Sequence, residues 1–313
     1  MHSSLPSIQC DATLSRKPRV IKNIGGSVKA RLKNKAIAQR QDLSLVLTRY
    51  ALERFLYRLS VSEHANHFLL KGALLFDLWF DVPLRATRDI DLLGFGLLDT
   101  AQLIQSINEI CVIECADGIQ FDVHSIRSEE IRKEANYSGI RISLDSFIES
   151  ARCIVQVDIG YGDAVTPAPE LADYPVMLPE FPAPKLRVYP RYTVVAEKLD
   201  AIISLGMANS RLKDYFDLWV LLQHSDLDST VLRDAVLATV KRRSTRMPLR
   251  LPIGLTEEFS NDVRKNIQWQ TFVNKNQITA VALSTVVEEI RSHLHFLFPG
   301  DSSVNQASMA DLK

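Results

Sequence analysis

The period of the apolar positions changes several times along the chain, and each change marks an element. From Ala36 to Leu59, the residues Leu43, Val46, Leu47, Tyr50, Ala51, Phe55 and Leu59 recur at spacings of three and four, which predicts an amphipathic helix. Residues 1–35 ahead of it are polar and basic around Gly25-Gly26-Ser27, the composition of a flexible arm with at most a short helix. Phe68 to Gly72 predicts a short strand ending at a glycine. Ala73 to Phe80 predicts an apolar helix stopped ahead of Pro83. Arg85 to Leu93 predicts a strand closed by Gly94 and Gly96, after which Asp99 caps a helix carrying Leu103, Ile104, Ile107 and Ile110. Ile119–Ser125, Gly139–Leu144 and Cys153–Ile159 alternate or run apolar over strand lengths. Six prolines in residues 167–184, with no periodicity, predict an extended connection, and Leu186–Tyr189 one last short strand.

Beyond Thr193 the period is helical. Thr193–Leu205, Arg211–Leu222, Thr230–Val240 and Ile278–Phe298 predict helices, and the chain turns polar from Pro299. The order of elements predicts an α+β fold. A mixed sheet flanked by helices occupies residues 36–190, and a C-terminal helical domain in residues 191–298 completes a cleft against it. A basic arm (1–35) and a disordered tail (299–313) bracket the two.

Composition changes this picture little. Of 313 residues, 46% are hydrophobic and 24% charged, which fits a globular protein and argues against disorder. Cys10, Cys111, Cys115 and Cys153 contain no C-x-x-C pair, so buried reduced thiols are expected rather than a zinc site. With neither the apolar core of a signal peptide nor an 18-residue apolar run, the expected location is cytoplasmic, with no membrane partner. Net charge is zero but uneven. Nine Lys/Arg and no acid lie between Arg16 and Arg40, and Lys241-Arg242-Arg243, Arg246 and Arg250 form a second cluster. Such blocks either contact phosphate backbones or are solvated faces.

The candidate chemistry lies in three acids. Asp89 and Asp91 stand at i and i+2 of a predicted strand, so their side chains share a face with Cα atoms roughly 6.6 Å apart. Two carboxylates converging from a strand suit Mg²⁺, a hard ion that keeps part of its shell for substrate phosphates. Taken alone, the pair reads more readily as two solvated acids at a turn. Asp158 lies inside the apolar run Ile154–Ile159, where an acid requires a salt bridge or a metal. Two acids on one strand and a third on another are what two-cation phosphoryl transfer requires. In the helical half, Lys213 and Asp217 are four apart and Asp214 is three before Asp217. They form either an exposed ion pair or a lysine held between carboxylates near a triphosphate.

Five motifs occur in order: Lys71-Gly72-Ala73-Leu74, Arg85-x-Thr87-Arg88-Asp89-Ile90-Asp91-Leu92, Gln156-Val157-Asp158-Ile159-Gly160, Ala196-Glu197-Lys198 and Arg211-x-Lys213-Asp214-x-x-Asp217-Leu218. Together they resemble the AbiEii/AbiGii-type toxin family of nucleotidyltransferase-like proteins, over roughly residues 45–225. The resemblance implies a polymerase-beta-type nucleotidyltransferase fold and a bacterial toxin encoded beside an antitoxin, often one with a winged-helix DNA-binding domain. Some members of that family add nucleotides to the tRNA acceptor end and stop translation. By position, Lys71, Gly72 and Ala73 correspond to the small-residue turn whose backbone approaches the triphosphate. Asp89, Asp91 and Asp158 correspond to the metal ligands, and Lys198, Lys213, Asp214 and Asp217 to the later helical motifs. Arg88 is expected to meet phosphate or to orient the acids, with a surface salt bridge as the alternative. Ala73 departs from the family's second small residue and offers no hydroxyl, leaving backbone donation.

The expectation is a Mg²⁺-dependent enzyme, with Mn²⁺ as a substitute, that moves a nucleoside monophosphate from an NTP to RNA, tRNA foremost. Asp89 and Asp91 hold metal, Asp158 helps activate the acceptor hydroxyl, and Lys198 and Lys213 stabilise the triphosphate. The arm and the 241–250 cluster steer the RNA. The alternatives are a protein hydroxyl or small molecule as acceptor, or an inactive nucleotide- or partner-binding module.

Overall fold

A helix occupies part of the stretch expected to be an arm. The computed structural model describes residues 23–80, 87–96, 99–134, 137–279 and 281–300. Residues 1–22 of the arm, Arg85 and the tail from 301 lie outside the described residues. Helix α1 (Ile24–Ala38) starts at Asn23, whose side chain accepts the Gly26 N–H at 2.7 Å, and it buries Val28, Leu32 and Ala36. These three positions recur every fourth residue, but the bases between them mask the stripe. Arg40 then takes a left-handed φ of 52°, and Asp42 caps helix α2 (Leu43–Val61) by accepting the Leu45 N–H at 3.0 Å. The one helix predicted over Ala36–Leu59 is therefore the end of α1, a turn, and α2.

Strand β1 (Phe68–Lys71) runs into a 3₁₀ turn at Gly72–Leu74 and the short helix α3 (Leu75–Trp79). Strand β2 (Ile90–Gly94) begins one residue past Asp89. Helix α4 (Thr100–Cys111) carries the predicted cap as a full capping box between Asp99 and Gln102. Strands β3 (Ile119–Glu134), β4 (Tyr137–Ile148) and β5 (Ala151–Tyr161) extend beyond their predicted lengths, because charged and polar residues alternate along their outer ends. The Pro-rich connection contains strand β6 (Glu170–Asp173), and β7 (Lys185–Val188) follows.

These strands form one mixed sheet in the order β3-β4-β5-β2-β1-β7-β6. Strand β2 lies parallel to β5 and antiparallel to β1, and β1 lies parallel to β7. Helix α2 packs on β5 and β7, with α1 and α4 beside it, so Ile90, Leu92, Val155, Val157 and Ile159 are buried on that face. In β5 burial alternates until Val157 and is then continuous to Gly160.

That half contains α5 (Arg191–Leu205), α6 (Leu212–His224), α7 (Ser229–Arg243), α8 (Glu257–Ser260), α9 (Val263–Asn276) and α10 (Leu283–Leu294). Helix α9 escapes the hydrophobic pattern because its buried side chains are only Lys265, Trp269 and Val273. The helix predicted over Ile278–Phe298 starts at Leu283 and ends in a 3₁₀ turn. Gly300, expected in the tail, donates its N–H to the Leu249 carbonyl at 2.8 Å. Among the described residues, no helix is long and apolar enough to cross a membrane.

Candidate active site

Strand register brings four charged residues into one row. Lys71 of β1 stands opposite Asp91 of β2, Asp91 opposite Asp158 of β5, and Asp158 opposite Arg141 of β4. Directly opposed residues on adjacent strands share a face, so the row crosses the sheet on the face turned from α2. A cleft of about 440 Å³ lies over it. Gly72, Ala73, Thr87, Asp89, Asp91, Arg141 and Asp158 line one wall, and Lys198, Arg211, Lys213 and Asp214 the other. Asp217 and the exposed Arg88 lie outside this lining.

Gly72 is fixed by two constraints. Its φ is +74°, and a Cβ there would stand 2.1 Å from Asp91 Oδ2. Only glycine allows both the turn and the carboxylate. Asp89, just outside β2, accepts a hydrogen bond from Thr87 Oγ1 at 2.9 Å. Asp89 and Asp91 are both half-buried. Two accessible carboxylates beside a backbone turn form an oxygen donor set that suits a hard divalent cation.

The third acid is engaged differently. Arg141 Nε donates to Asp158 Oδ1 at 2.7 Å and Arg141 Nη2 to Oδ2 at 2.9 Å, a bidentate fork on a carboxylate only 3% exposed. Among the described residues no group of three or more metal-ligating side chains is assembled. At Asp158, expected as a metal ligand, the cross-strand neighbour Arg141 supplies the opposite charge. Arg141 was not foreseen. Its only signal is a charge alternating with Ile140 and Ile142, and the sequence does not show which acid it faces.

The lysine held between carboxylates is Lys198 of α5 rather than Lys213. Lys198 Nζ donates to Asp214 Oδ1 at 3.0 Å and Asp217 Oδ2 at 2.8 Å, while Arg211 Nε lies 2.7 Å from Asp214 Oδ2. Asp214 and Asp217 share the face of α6 turned toward α5, and Lys213 stands one position off it, exposed.

Lys71 is also placed otherwise than expected. Its Nζ donates to Asp163 Oδ2 at 2.5 Å and lies 3.6 Å from Glu197 Oε1. Burial would lower its pKa, but Glu197 and Asp163 outweigh burial and hold it above the usual lysine value. Burial raises the Glu197 carboxyl, which Lys71 only partly offsets. Arg243 completes this buried network, reaching Asp200 Oδ2 at 3.2 Å, Asp163 Oδ1 at 3.3 Å and Glu197 Oε1 at 3.4 Å. The network ties β1 to α5 and α7. Asp163 and Asp200 gave no signal in the sequence, as each is an ordinary acid next to an element end or on a helix.

Part of each basic cluster is likewise committed to the fold. Besides Arg243, Arg242 Nε donates to the Gly162 carbonyl; Lys29 pairs with Glu149, Arg31 with Glu180, and Lys35 donates to the Met177 carbonyl. Lys241, Arg246 and Arg250 stay exposed. Cys111 and Cys153 are buried thiols whose pKa burial raises, to about 12 for Cys111.

Residues 54–288 match the family model described as nucleotidyl transferase AbiEii toxin, type IV toxin–antitoxin system. No protein of curated function gives a significant match. Among solved structures, the chain is similar to JHP933 from Helicobacter pylori, at 13% identity and a TM-score of 0.47, over 86% of this chain and 98% of that one. It is also similar to an antigenic nucleotidyltransferase-like protein from Paracoccidioides brasiliensis, at 11% identity and a TM-score of 0.32, over 72% of this chain and 90% of that one.

Proposed function

Because the chain belongs to the AbiEii nucleotidyl transferase toxin family, we propose that it transfers a nucleoside monophosphate from an NTP to a hydroxyl of RNA, with tRNA as the acceptor, and releases pyrophosphate. The observation that carries this reading is the placement of Asp89 and Asp91 beside the Gly72 turn, across a cleft from Lys198, Arg211 and Lys213. The cleft's 440 Å³ lies within the range of about 300–1,000 Å³ usual for small-ligand sites.

Asp89 and Asp91 would hold a divalent cation, Mg²⁺ or Mn²⁺, which when bound offsets charge on the phosphoryl oxygens. The turn at Gly72-Ala73 brings backbone, rather than side chain, up to the triphosphate. On the far wall Lys198 and Arg211 are paired with Asp214, and Lys198 also with Asp217 behind it, while the exposed Lys213 adds a positive charge beside them. Lys198 is fixed by its two carboxylates, so its charge is already oriented when negative charge develops on the leaving pyrophosphate. The family's type IV description implies a cognate antitoxin as partner.

The test is to incubate the purified protein with each labelled NTP, Mg²⁺ and total tRNA. Ribonuclease-sensitive label is expected, lost on adding EDTA and in Asp91→Asn. No transfer from any of the four nucleotides by folded protein would refute the reading. Label that survives ribonuclease but not protease would refute the RNA acceptor alone.

A further inference from the structure

We infer that Arg141 stands where a second divalent cation would otherwise lie, so that the site takes one metal ion, on Asp89 and Asp91. This rests on the nucleotidyl-transfer reading and concerns how its charge is supplied.

Two-cation phosphoryl transfer holds its ions about 3.5–4 Å apart between shared carboxylates. The register offers Asp158, directly opposite Asp91, as the only acid of the row that could hold a second ion with it. Both oxygens of Asp158 are instead gripped by one guanidinium, at 2.7 and 2.9 Å, distances typical of charge-assisted bonds. Arg141 is not buried behind Asp158; its side chain is 31% exposed and lines the cleft. Its remaining terminal nitrogen, Nη1, lies 3.5 Å from Glu129 Oε1 at the outer edge of the row. The bond to Asp158 raises its pKa against burial, and the charges of Asp158, Glu129 and Asp89 add to this, so it is a permanent cation at every accessible pH.

A fixed positive charge on Asp158 repels a divalent ion from that carboxylate. Asp158 thereby becomes a positioning residue for Arg141, and the row reads as cation, metal site, acid, cation. One ion and one guanidinium then stand where two ions stand in a two-cation site, with one positive charge fewer. Arg141 comes from β4, a strand paired on both sides by β3 and β5, and so is held more rigidly than a loop residue.

The experiment counts bound Mn²⁺ on the full chain, using the metal alone and reading free Mn²⁺ by electron paramagnetic resonance. Wild type should bind one Mn²⁺ per chain, removed by Asp91→Asn. Arg141→Met, which releases Asp158, should bind two, and the double variant Arg141→Met/Asp158→Asn one. Arg141→Lys should stay at one. Two ions on wild type, or one on both wild type and a folded Arg141→Met, would overturn the inference while leaving nucleotidyl transfer intact. No Mn²⁺ on any variant would overturn the metal reading itself and this inference with it. If thermal melting shows Arg141→Met unfolded, Asp158→Asn decides: an unchanged count of one supports the substitution of Arg141 for metal, and a drop overturns it.

Discussion

Replacing Gly72 with alanine tests the site through a single methyl group. The methyl has to enter at φ +74°, with Asp91 Oδ2 at 2.1 Å and Asp91 Cβ and Cγ each at 2.7 Å from the ideal Cβ position. The left-handed backbone disfavours a Cβ by roughly 1–2 kcal/mol, and forcing a methyl into occupied space adds about 1–3 kcal/mol. A combined loss of about 2–5 kcal/mol should lower the melting temperature by roughly 4–20 °C, at about 2–4 °C per kcal/mol for a chain of this order of size. Part of the strain is relieved if the Asp91 carboxylate moves. A displacement near 1 Å at a metal ligand costs on the order of 10²-fold in rate. Gly72→Ala should therefore lose label transfer far beyond its loss of folded protein. In the Asp91→Gly background the oxygen at 2.1 Å and the Cβ and Cγ at 2.7 Å are all gone, and the destabilisation by Gly72→Ala should shrink toward the backbone cost, about 1–2 kcal/mol. Melting curves of the four proteins and label transfer at a temperature where all are folded provide the measurement. Gly72→Ala melting within about 2 °C of wild type with transfer unchanged would refute the reasoning.

Three further outcomes follow from the geometry. Lys198→Met leaves Asp214 and Asp217, each almost fully buried, without the ammonium at 3.0 and 2.8 Å; destabilisation of about 3 kcal/mol is expected, near the low end for a broken buried pair because Arg211 still meets Asp214. Denaturant unfolding checks this, and a loss below about 1 kcal/mol would place Lys198 among ordinary surface pairs. Burial raises the Glu53 carboxyl from 4.5 to about 7, against the pull of Arg54 and the Met177 N–H. The folded state then holds a proton that the unfolded state has released, so this contribution is fully present below pH 4.5 and is lost as pH rises to about 7, amounting to about 3 kcal/mol. Glu53→Gln should flatten the decline of stability across that window and raise the melting temperature at pH 8; an unchanged pH profile would contradict the assignment. Replacing the exposed Lys241, Arg246 and Arg250 by alanine should weaken tRNA binding and reduce its salt slope by up to about three, one per phosphate contact. An identical slope would exclude this face from RNA contact.

Most of the elements were legible because burial imposes a period on a segment wherever one face is apolar. Helix α2, β5 and α6 each carry enough apolar positions for that period to be counted. Helices α1 and α9 do not: α1 docks through three small or aliphatic residues among bases, and α9 through Trp269, Val273 and the stem of Lys265. Their helicity is decided by what they pack against. Strand β6 was hidden for the opposite reason, as prolines at 167, 169 and 175 surround a four-residue edge strand.

For the site, the sequence by itself determined which residues bear charge on strands otherwise apolar, and it singled out Asp89, Asp91, Asp158, Lys198, Asp214 and Asp217. Strand alternation is local, so it placed Asp89 and Asp91 on one face without reference to any neighbour, while Asp158 stood out as an acid inside an apolar run. What each charge meets was decided only in three dimensions. Register set Arg141 against Asp158, helix packing gave the two α6 carboxylates to Lys198 instead of Lys213, and the β1–α5–α7 contact drew Lys71 into Asp163 and Glu197. A charged side chain settles with the opposite charge nearest in space, because desolvation makes an unpaired one several kcal/mol too costly. Nearness across a sheet or between helices depends on register and packing, which no local period encodes.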